Sequence, residues 1–426
     1  MLTIRAMADG KGYSSRHLEH SDYYAEGERV VGNWHGRGAE LLGLSGPVGT
    51  GDFETLRQGL YPGTREFLRA RRSADRMGAD GTKLAQGRSL YDFTISAPKS
   101  VSVLAIVGGD ERLIDAHRAA VAEALKETES FAASRVRQGG ANEDRATANM
   151  VLAVYHHDTS RELDPQLHTH AVAANLTFDG MEGRWKALQA SEIYERRAYL
   201  SEVYRNALAR EVRAAGYEIE SQRDARGRDA GFEIRGVPAE LLAKFSRRSR
   251  QRDSAIAAFV EQHGRRPTDN EIAVLVRESR ADKLTEISTR ELRQKQQERL
   301  TPDETQALGA ARGTARFTSV TVEPSAASLE HAADHIFERV SVAPDHELLT
   351  EALRHGRGRI PLAELKGELS LQESTGKVLR SGRDIATAAS LERERNMIAA
   401  VNRGLGAFEP LGGGVLAVSA QLRPEH

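Results

Sequence analysis

Residues 157–170 read His-Asp-Thr-Ser-Arg-Glu-Leu-Asp-Pro-Gln-Leu-His-Thr-His, and the expected fold is built around these residues. Successive side chains of a strand point to opposite faces, so His168 and His170 share one face. His157 ends an apolar run typical of a neighbouring strand, and Asp164-Pro165 is typical of the turn between the two strands. Such a hairpin would bring three imidazoles together. The spacing therefore predicts one metal site at His157, His168 and His170.

The chain has 426 residues and no cysteine, which excludes both disulfides and thiolate metal ligands. A metal site must then use histidine, aspartate, glutamate or backbone oxygen. The absence of cysteine indicates a reducing, intracellular compartment. No apolar run approaches the roughly 18–20 residues of a membrane span, and the first residues lack a signal-peptide pattern. We therefore expect a cytoplasmic protein without membrane insertion.

The formal net charge of -1 and the sequence pI of about 7.0 give no global indication of nucleic-acid binding. Any such surface must be local. An arginine-rich helical segment is predicted over residues 240–300, with arginines concentrated in 245–250 and 264–267. It is either a basic patch for nucleic acid or a solvated helix pair whose arginines meet nearby glutamates, and both interpretations stay open.

Short β-like runs alternate with helical segments over residues 1–240, which indicates an α+β fold. Strands are predicted at 2–7, 90–96, 151–157, 167–176 and 232–234. Helices are predicted at 14–24, 99–105, 110–135 and 190–215. Residues 301–330 are rich in Thr, Ser, Ala and Gly, which predicts a linker, and residues 331–426 are expected to be mainly helical.

Three tyrosines near the amino end, Tyr13, Tyr23 and Tyr24, form a second group of interest. A phenol has an ordinary pKa of about 10, so it is a poor nucleophile unless a metal or a base activates it. Its phosphate ester is correspondingly reactive. In a helix, Tyr13 and Tyr24 would share one face. Ordinary amphipathic packing with a hydrated hydroxyl is the alternative for each of these tyrosines.

Asp92 stands in the middle of a predicted strand, between bulky residues. A carboxylate in that position needs a partner, because burying it unpaired is costly. It is either a structural charge or hydrogen-bond partner, or an acceptor that orients a metal-bound histidine and draws a proton from a tyrosine. The spacing alone leaves both roles open.

Together these blocks resemble the MobF class of conjugative relaxases, which are HUH endonucleases. The resemblance rests on the order and spacing of Tyr23-Tyr24, of Thr-Ile-Ser-Ala-Pro-Lys-Ser-Val-Ser at 94–102, and of the histidine stretch at 157–170. Less distinctive similarities lie at 34–39, 184–188 and 264–267. The resemblance covers residues 1–300 and implies a relaxase domain there, which includes the basic helical segment at about 240–300.

The resemblance implies a palm built on an antiparallel sheet, with helical additions and a mainly helical carboxyl-terminal region. In that family three histidines bind a divalent ion that polarises the scissile phosphate of single-stranded DNA at a plasmid transfer origin. Mg²⁺ or Mn²⁺ is expected, with Zn²⁺ or another transition metal as the alternative. By similarity, His157, His168 and His170 are the ligands, and Asp92 orients a histidine or acts as a general base.

The resemblance also implies that a tyrosine attacks the phosphate, stays linked to the DNA 5′ end, and later reseals the strand. Many family members carry two tyrosine pairs about seven residues apart, whereas this chain has Arg16-His17 at the earlier position. Tyr23 is therefore expected to attack first, with Tyr24 beside it and Tyr13 as the rival nucleophile.

Partners follow from the same resemblance: single-stranded DNA at the transfer origin, accessory relaxosome proteins and a type IV coupling protein. Basic residues expected to contact the DNA are Arg247, Arg248, Arg250, Arg265, Arg266, Lys99 and Arg161.

Residues 331–426 resemble the lead-in to a helicase domain, yet the chain has no Gly-x-x-x-x-Gly-Lys-Ser/Thr loop, so ATP hydrolysis is not expected. Three alternatives remain. A rolling-circle replication initiator uses the same chemistry, but its tyrosine usually follows the histidines. A metal-dependent phosphodiesterase would use water, and a DNA-binding module with structural histidines would bind without nicking.

Overall fold

The computed structural model of the chain describes residues 1–7, 30–49, 51–69, 76–77, 83–85, 87–160, 162–224, 226–268, 271–272, 274–275, 288–314 and 324–407. The predicted nucleophiles Tyr13, Tyr23 and Tyr24, the helix predicted at 14–24, and Arg161 lie outside the described residues.

The described strands and helices are numbered here separately in chain order. The strands are β1 (Leu2–Met7), β2 (Asn33–His35), β3 (Arg76–Met77), β4 (Lys83–Ala85), β5 (Leu90–Ser96), β6 (Ala133–Gln138), β7 (Ala141–Ala146), β8 (Leu152–Thr159), β9 (Pro165–Ala174), β10 (Thr177–Asp179), β11 (Arg184–Lys186), β12 (Leu188–Gln189), β13 (Ile219–Arg223), β14 (Asp229–Ile234), β15 (Ala343–Pro344), β16 (Val378–Ser381) and β17 (Asp384–Thr387). The helices are α1 (Arg37–Leu41), α2 (Asp52–Arg57), α3 (Lys99–Ile106), α4 (Arg112–Ser130), α5 (Ser191–Glu195), α6 (Arg197–Ala214), α7 (Ala239–Lys244), α8 (Arg247–His263), α9 (Thr289–Glu298), α10 (Pro302–Thr314), α11 (Ser325–Phe337), α12 (Asp345–His355), α13 (Leu362–Ser374) and α14 (Ala388–Gly404).

A five-stranded sheet with the order β1-β5-β9-β8-β2 forms the centre of the molecule, and every neighbouring pair is antiparallel. The predicted α+β fold with an antiparallel palm is confirmed. The predicted strands are present, with their ends shifted by up to three residues, and β9 and β8 lie at the centre where the histidine stretch was expected.

Two predicted helices have different ends in the structure. The helix predicted to run to residue 135 ends at Ser130, and strand β6 follows. After β6 the chain turns at Gly139 and Gly140, which both have positive φ, 58° and 86°. Two such residues form the tight turn that joins β6 to β7 as a hairpin. The helix predicted at 190–215 is interrupted at Arg196, which lies between the end of α5 and the start of α6.

The two faces of the central sheet are covered differently. Helices α3, α4 and α6 cover one face and form the larger hydrophobic core, which includes Phe93, Ile95 and Ala171. A smaller core with Trp34 and Phe53 covers part of the other face. Because side chains alternate along each strand, this second face is the one that carries His157, His168 and His170.

Two glycines place the edge strand β2 and helix α1 against the sheet. Gly36 has φ +94°, and a Cβ there would lie 2.6 Å from the backbone oxygen of Met150. A Cβ at Gly38 would lie equally close to the same carbonyl group. The side chain of Glu129 accepts hydrogen bonds from the backbone amides of Arg37 and Met150, at 2.8 and 2.7 Å. Only glycine allows this close approach of chain segments.

The carboxyl-terminal described residues, 324–407, form four helices and a small sheet of order β15-β17-β16. Arg357 is buried and joins this region to the palm, because its guanidinium donates to Glu202 on α6 and to Asp229 on β14. The linker predicted over residues 301–330 contains helix α10, and the domain boundaries stay a prediction. Among the described residues no helix has the length and apolar character needed to cross a membrane.

Candidate metal centre

The β8–β9 hairpin brings the three predicted histidines together. His157 pairs with His168 across the two strands, and His170 lies two residues further along β9 on the same face. The ring centroids of His157, His168 and His170 are separated by 5.2, 5.3 and 5.6 Å. A register shift follows His157, so Asp158 forms a bulge that leads to the hairpin turn.

Hydrogen bonds leave one nitrogen of each imidazole available. Nδ1 of His168 lies 2.9 Å from the Gln166 carbonyl oxygen, and Nδ1 of His170 lies 3.0 Å from both Asp92 oxygens. Each Nδ1 therefore donates a hydrogen bond, so the lone pair of the neutral ring lies on Nε2. Nε2 of His157 is buried and has no hydrogen-bond partner among the described residues.

These donors fit a divalent metal ion chemically. Burial, followed by the neighbouring imidazoles, lowers the pKa of His157 to about 2, and burial lowers that of His168 to about 4. Both rings are therefore neutral at physiological pH, which is the form that binds metal. Three imidazoles that share one ion have ring centroids about 5 Å apart. The described residues nevertheless contain no group of three or more His, Cys, Asp or Glu side chains already placed to hold a metal ion.

Asp92 lies beside the cluster, in the middle of β5. Its carboxylate is buried and faces Nδ1 of His170 with both oxygens. Thr94, on the same face of β5 and paired with His170, contributes a longer contact of 3.3 Å from its hydroxyl oxygen to the same nitrogen. Of the two roles that the sequence left open, this arrangement favours orientation of a histidine by the carboxylate.

A second histidine network lies on the opposite face of the same strands. The hydroxyl oxygen of Thr169 is 2.8 Å from Nδ1 of His156 and 2.9 Å from Nε2 of His117, whose Nδ1 is 2.7 Å from the Tyr204 hydroxyl. Thr169 stands between the two predicted ligands of β9. No motif in the sequence indicates this network, although strand alternation already places His156 opposite to His157.

The hairpin turn is fastened by ion pairs to one buried carboxylate. Asp164 is 1% exposed and accepts from the backbone amide and Nε of Arg247, at 2.8 and 3.0 Å. It also accepts from Nη1 of Arg299 at 2.8 Å. Gln296 donates to the carbonyl oxygen of Leu163, a residue with φ +58°. The helices of the basic segment therefore hold the strand ends that carry His157 and His168.

These contacts separate the residues predicted to bind DNA into two groups. Arg247 forms an ion pair with Asp164. Arg265 pairs with Glu271 at 2.6 Å, which is the arginine–glutamate contact predicted for a solvated helix pair. Nζ of Lys99 donates to the carbonyl oxygen of Pro165 at 3.0 Å, and burial lowers its pKa to about 8. Arg248, Arg250, Arg265 and Arg266 are exposed. Contact of these residues with DNA stays a prediction.

The chain was compared with known families and proteins. The family described as TrwC relaxase matches residues 7–302. The multifunctional conjugation protein TraI of Escherichia coli strain K12 is 36% identical over 260 residues, which are 59% of this chain and 14% of TraI. This chain therefore aligns with about a seventh of the length of that relative.

Solved structures give the same result. The structure of TrwC complexed with a 27-mer DNA comprising the recognition hairpin and the cleavage site is 33% identical, with a TM-score of 0.58 over 75% of this chain and 100% of that one. A copper-bound complex of conjugative relaxase TrwC with oriT DNA is 31% identical, with a TM-score of 0.59 and the same coverage.

Proposed function

Because the chain belongs to the TrwC relaxase family, we propose that it is a conjugative relaxase, a nicking and closing enzyme for single-stranded DNA at a plasmid transfer origin. The observation that carries this proposal is the cluster of His157, His168 and His170 on the open face of the central sheet, with Asp92 behind it. Neutral imidazoles backed by a buried carboxylate are suited to hold a divalent ion beside a phosphate.

We propose that His157, His168 and His170 hold the ion through their Nε2 atoms. TrwC has been solved in metal-bound and copper-bound complexes with oriT DNA, which supports a divalent ion here. The expected ion is Mg²⁺ or Mn²⁺, with Zn²⁺ or another transition metal as the alternative. Such an ion supplies Lewis-acid polarisation of a phosphate oxygen. Asp92 fixes the proton of His170 on Nδ1 and so keeps Nε2 turned away from the carboxylate.

The covalent step is a transesterification. A tyrosine oxygen forms a bond to the scissile phosphorus, and the bond from phosphorus to the 3′ oxygen breaks. The phenol proton is given up, the leaving 3′ oxygen gains a proton, and the DNA 5′ end stays linked to the tyrosine. The reverse reaction reseals the strand. We assign the first attack to Tyr23, with Tyr24 beside it and Tyr13 as the rival.

Asp92 is assigned as a positioning residue. Its two oxygens both face the Nδ1 atom of His170, and the carboxylate is 3% exposed. A general base must reach the proton that it abstracts. This burial therefore favours orientation of His170 over direct abstraction of the tyrosine proton.

The DNA partner is proposed to follow basic residues beyond the metal centre, with Arg248, Arg250 and Arg266 contacting backbone phosphates. We further propose that accessory relaxosome proteins and a type IV coupling protein are partners, and that the enzyme works in the cytoplasm. Residues 1–300 form the proposed relaxase domain, and residues 331–426 form the proposed lead-in to a helicase.

Cleavage of single-stranded oligonucleotides that cover the transfer origin tests this function. Wild-type protein with Mg²⁺ or Mn²⁺ should give a 3′ hydroxyl product and a protein-linked 5′ product on a denaturing gel. The triple variant Tyr13→Phe, Tyr23→Phe, Tyr24→Phe should give neither product. Cleavage by the triple variant that leaves a free 5′ phosphate would indicate a water-using phosphodiesterase, and binding without cleavage by the wild type would indicate a DNA-binding module.

A further inference from the structure

A cavity of about 930 Å³ lies outside the metal centre, at the junction of the palm with the carboxyl-terminal region. It is lined by the β13–β14 hairpin and by helices α11 and α12. Thirteen of its fourteen lining residues have polar or charged side chains, and Gly227 is the remaining one. The lining includes five arginines and three histidines. None of the histidines of the metal centre belongs to it.

The positive charge of this cavity is only partly compensated. Each lining carboxylate already has an arginine partner: Asp224 pairs with Arg228 at 2.6 Å, Asp229 with Arg357 at 2.8 Å, and Glu351 with Arg354 at 3.3 Å. Among the residues that the structure describes, no carboxylate forms an ion pair with the lining residues Arg226 or Arg339. Both arginines are exposed.

Arg223, a third lining residue, donates from Nη1 to the carbonyl oxygen of Gly227 at 2.8 Å and forms no ion pair within the described chain. The β13–β14 turn thus presents Arg223 and Arg226, and α11 is followed by Arg339. Three lining guanidinium groups without an ion-pair partner among the described residues suit this cavity to anions.

The chemistry of the lining distinguishes between kinds of anion. Sites for small organic ligands are mostly apolar, with a few polar groups that fix orientation. This lining contains no aliphatic side chain and no Phe, Tyr or Trp. It therefore lacks the apolar wall that would hold a nucleoside. Arginine forks match phosphate oxygens well, so a sugar–phosphate backbone fits this surface.

The hairpin also connects the cavity to the proposed catalytic region. Its turn lines the cavity, whereas Glu233 in β14 accepts from the backbone amides of Ser100 and Lys99, at 2.7 and 3.3 Å. These two residues begin α3, directly after the strand that holds Asp92. A DNA strand bound in the cavity would therefore contact the β13–β14 hairpin, which is itself attached to the central sheet.

We propose that this cavity binds the phosphate backbone of single-stranded DNA, as a second contact region distinct from the metal centre. The proposal rests on the proposed function for the choice of DNA as the source of the phosphates. Arg226 and Arg339 are the principal phosphate contacts, and Arg223 supports them. No base specificity is expected, because phosphate contacts carry no sequence information.

Fluorescence anisotropy with a labelled oligothymidine of twelve nucleotides, which lacks any origin sequence, tests the proposal. The full chain is compared with the double variant Arg226→Gln, Arg339→Gln at several salt concentrations. Losing two phosphate contacts should reduce the slope of log affinity against log salt by about 1.4, since each contact to single strands contributes about 0.7. The affinity at low salt should fall at least fivefold.

Matched variants control for loss of charge and for folding. Arg118→Gln with Arg197→Gln removes two exposed arginines that do not line the cavity and should leave the slope unchanged. Arg226→Lys with Arg339→Lys should restore part of the affinity. Equal thermal unfolding midpoints would verify that the variants are folded. An unchanged slope and affinity in the Arg226, Arg339 double variant would overturn the proposal.

Two further measurements separate this proposal from its rivals. Calorimetric titration with ADP tests whether the cavity binds a free nucleotide. The DNA assignment is overturned if the wild type binds ADP tightly and the double variant loses ADP binding while it keeps oligothymidine binding. Nicking of a short oligonucleotide confined to the cleavage site is measured with the wild type, as a separate test of the proposed function. A wild type that does not nick contradicts the proposed function, whereas the salt-slope difference still reports on the cavity.

Discussion

The carboxylate of Asp92 faces Nδ1 of His170 with both of its oxygens, each at 3.0 Å. The two residues come from β5 and β9, which are neighbours in the sheet, and the carboxylate is buried. A histidine held in this way has its proton fixed on one nitrogen and its ring fixed in orientation. Nε2 is therefore the atom through which His170 would hold the proposed ion.

Replacing Asp92 by alanine should weaken metal binding by about 10- to 100-fold, which is typical for loss of the group that orients a metal ligand. Calorimetric titration of the metal-free protein with Mn²⁺ measures this affinity. Thr94→Val removes only the longer 3.3 Å contact to the same nitrogen and should have a smaller effect. Equal affinities in Asp92→Ala and wild type would assign Asp92 a purely structural role.

The adjacent residues His156 and His157 offer a matched pair for testing metal binding, because they lie on opposite faces of β8. A metal at 100 times its dissociation constant should stabilise the wild type by about 2.7 kcal/mol, seen as a rise in melting temperature. His157→Gln should abolish this rise, and His156→Gln should retain it. Loss of the rise in both variants, or in neither, would contradict the three-histidine site.

Burial of His117 should make stability depend on pH. Burial lowers the pKa of this ring well below its usual 6.5, so the folded protein keeps it neutral while the unfolded chain protonates it. The resulting loss in the free energy of unfolding is small above pH 6.5 and grows as the pH falls below that value. At pH 5.5 it is about 1.4 kcal/mol, because one pKa unit corresponds to that free energy.

Urea unfolding of metal-free protein at pH 7.5 and 5.5 measures the effect of His117. His117→Gln should lose less stability between these two pH values than the wild type does. His263→Gln alters an exposed ring, whose Nδ1 donates to the Phe259 carbonyl oxygen, and should behave like the wild type. If His117→Gln has the same acid sensitivity as the wild type, the conclusion that His117 stays neutral in the folded protein is wrong.

Removing the buried carboxylate of the hairpin turn should destabilise the protein. Asp164→Ala leaves the guanidinium groups of Arg247 and Arg299 without their shared acceptor. Loss of a charged, buried hydrogen-bond partner costs about 1–3 kcal/mol, measurable by urea unfolding. Asp253→Asn, which breaks an exposed pair with Arg252, should change stability by no more than about 0.5 kcal/mol. Equal effects of the two substitutions would show that Asp164 does not fasten the turn.

Local pattern is sufficient to predict that the three histidines meet. His168 and His170 share a face because strand side chains alternate, and the Asp164-Pro165 turn brings His157 alongside. The direct pairing of His157 with His168 is seen only in the structure. The same local information could not reveal that Arg247 reaches Asp164, since 83 residues separate them and only tertiary packing joins them. Arg247 was therefore assigned to DNA from its charge alone.

The missed strand β6 has a different cause. It pairs with β7, a strand whose residues are almost all exposed, so neither has the alternating apolar pattern that identifies a half-buried strand. The helix predicted from the amphipathic pattern of α4 extends to residue 135, inside β6. The Gly139-Gly140 turn was the available indication of a hairpin. His117 was likewise missed because a lone histidine in a helix gives no indication of which strand it will contact.

The covalent intermediate provides the most direct test of the central claim. Protein is incubated with Mn²⁺ and an origin oligonucleotide, digested, and analysed by mass spectrometry for a tyrosine that carries the DNA 5′ phosphate. We predict an adduct on Tyr23, with Tyr24 or Tyr13 as the alternative nucleophiles, and no adduct with His168→Ala or with a chelator. A cleaved strand with a free 5′ phosphate and unmodified tyrosines would contradict the account.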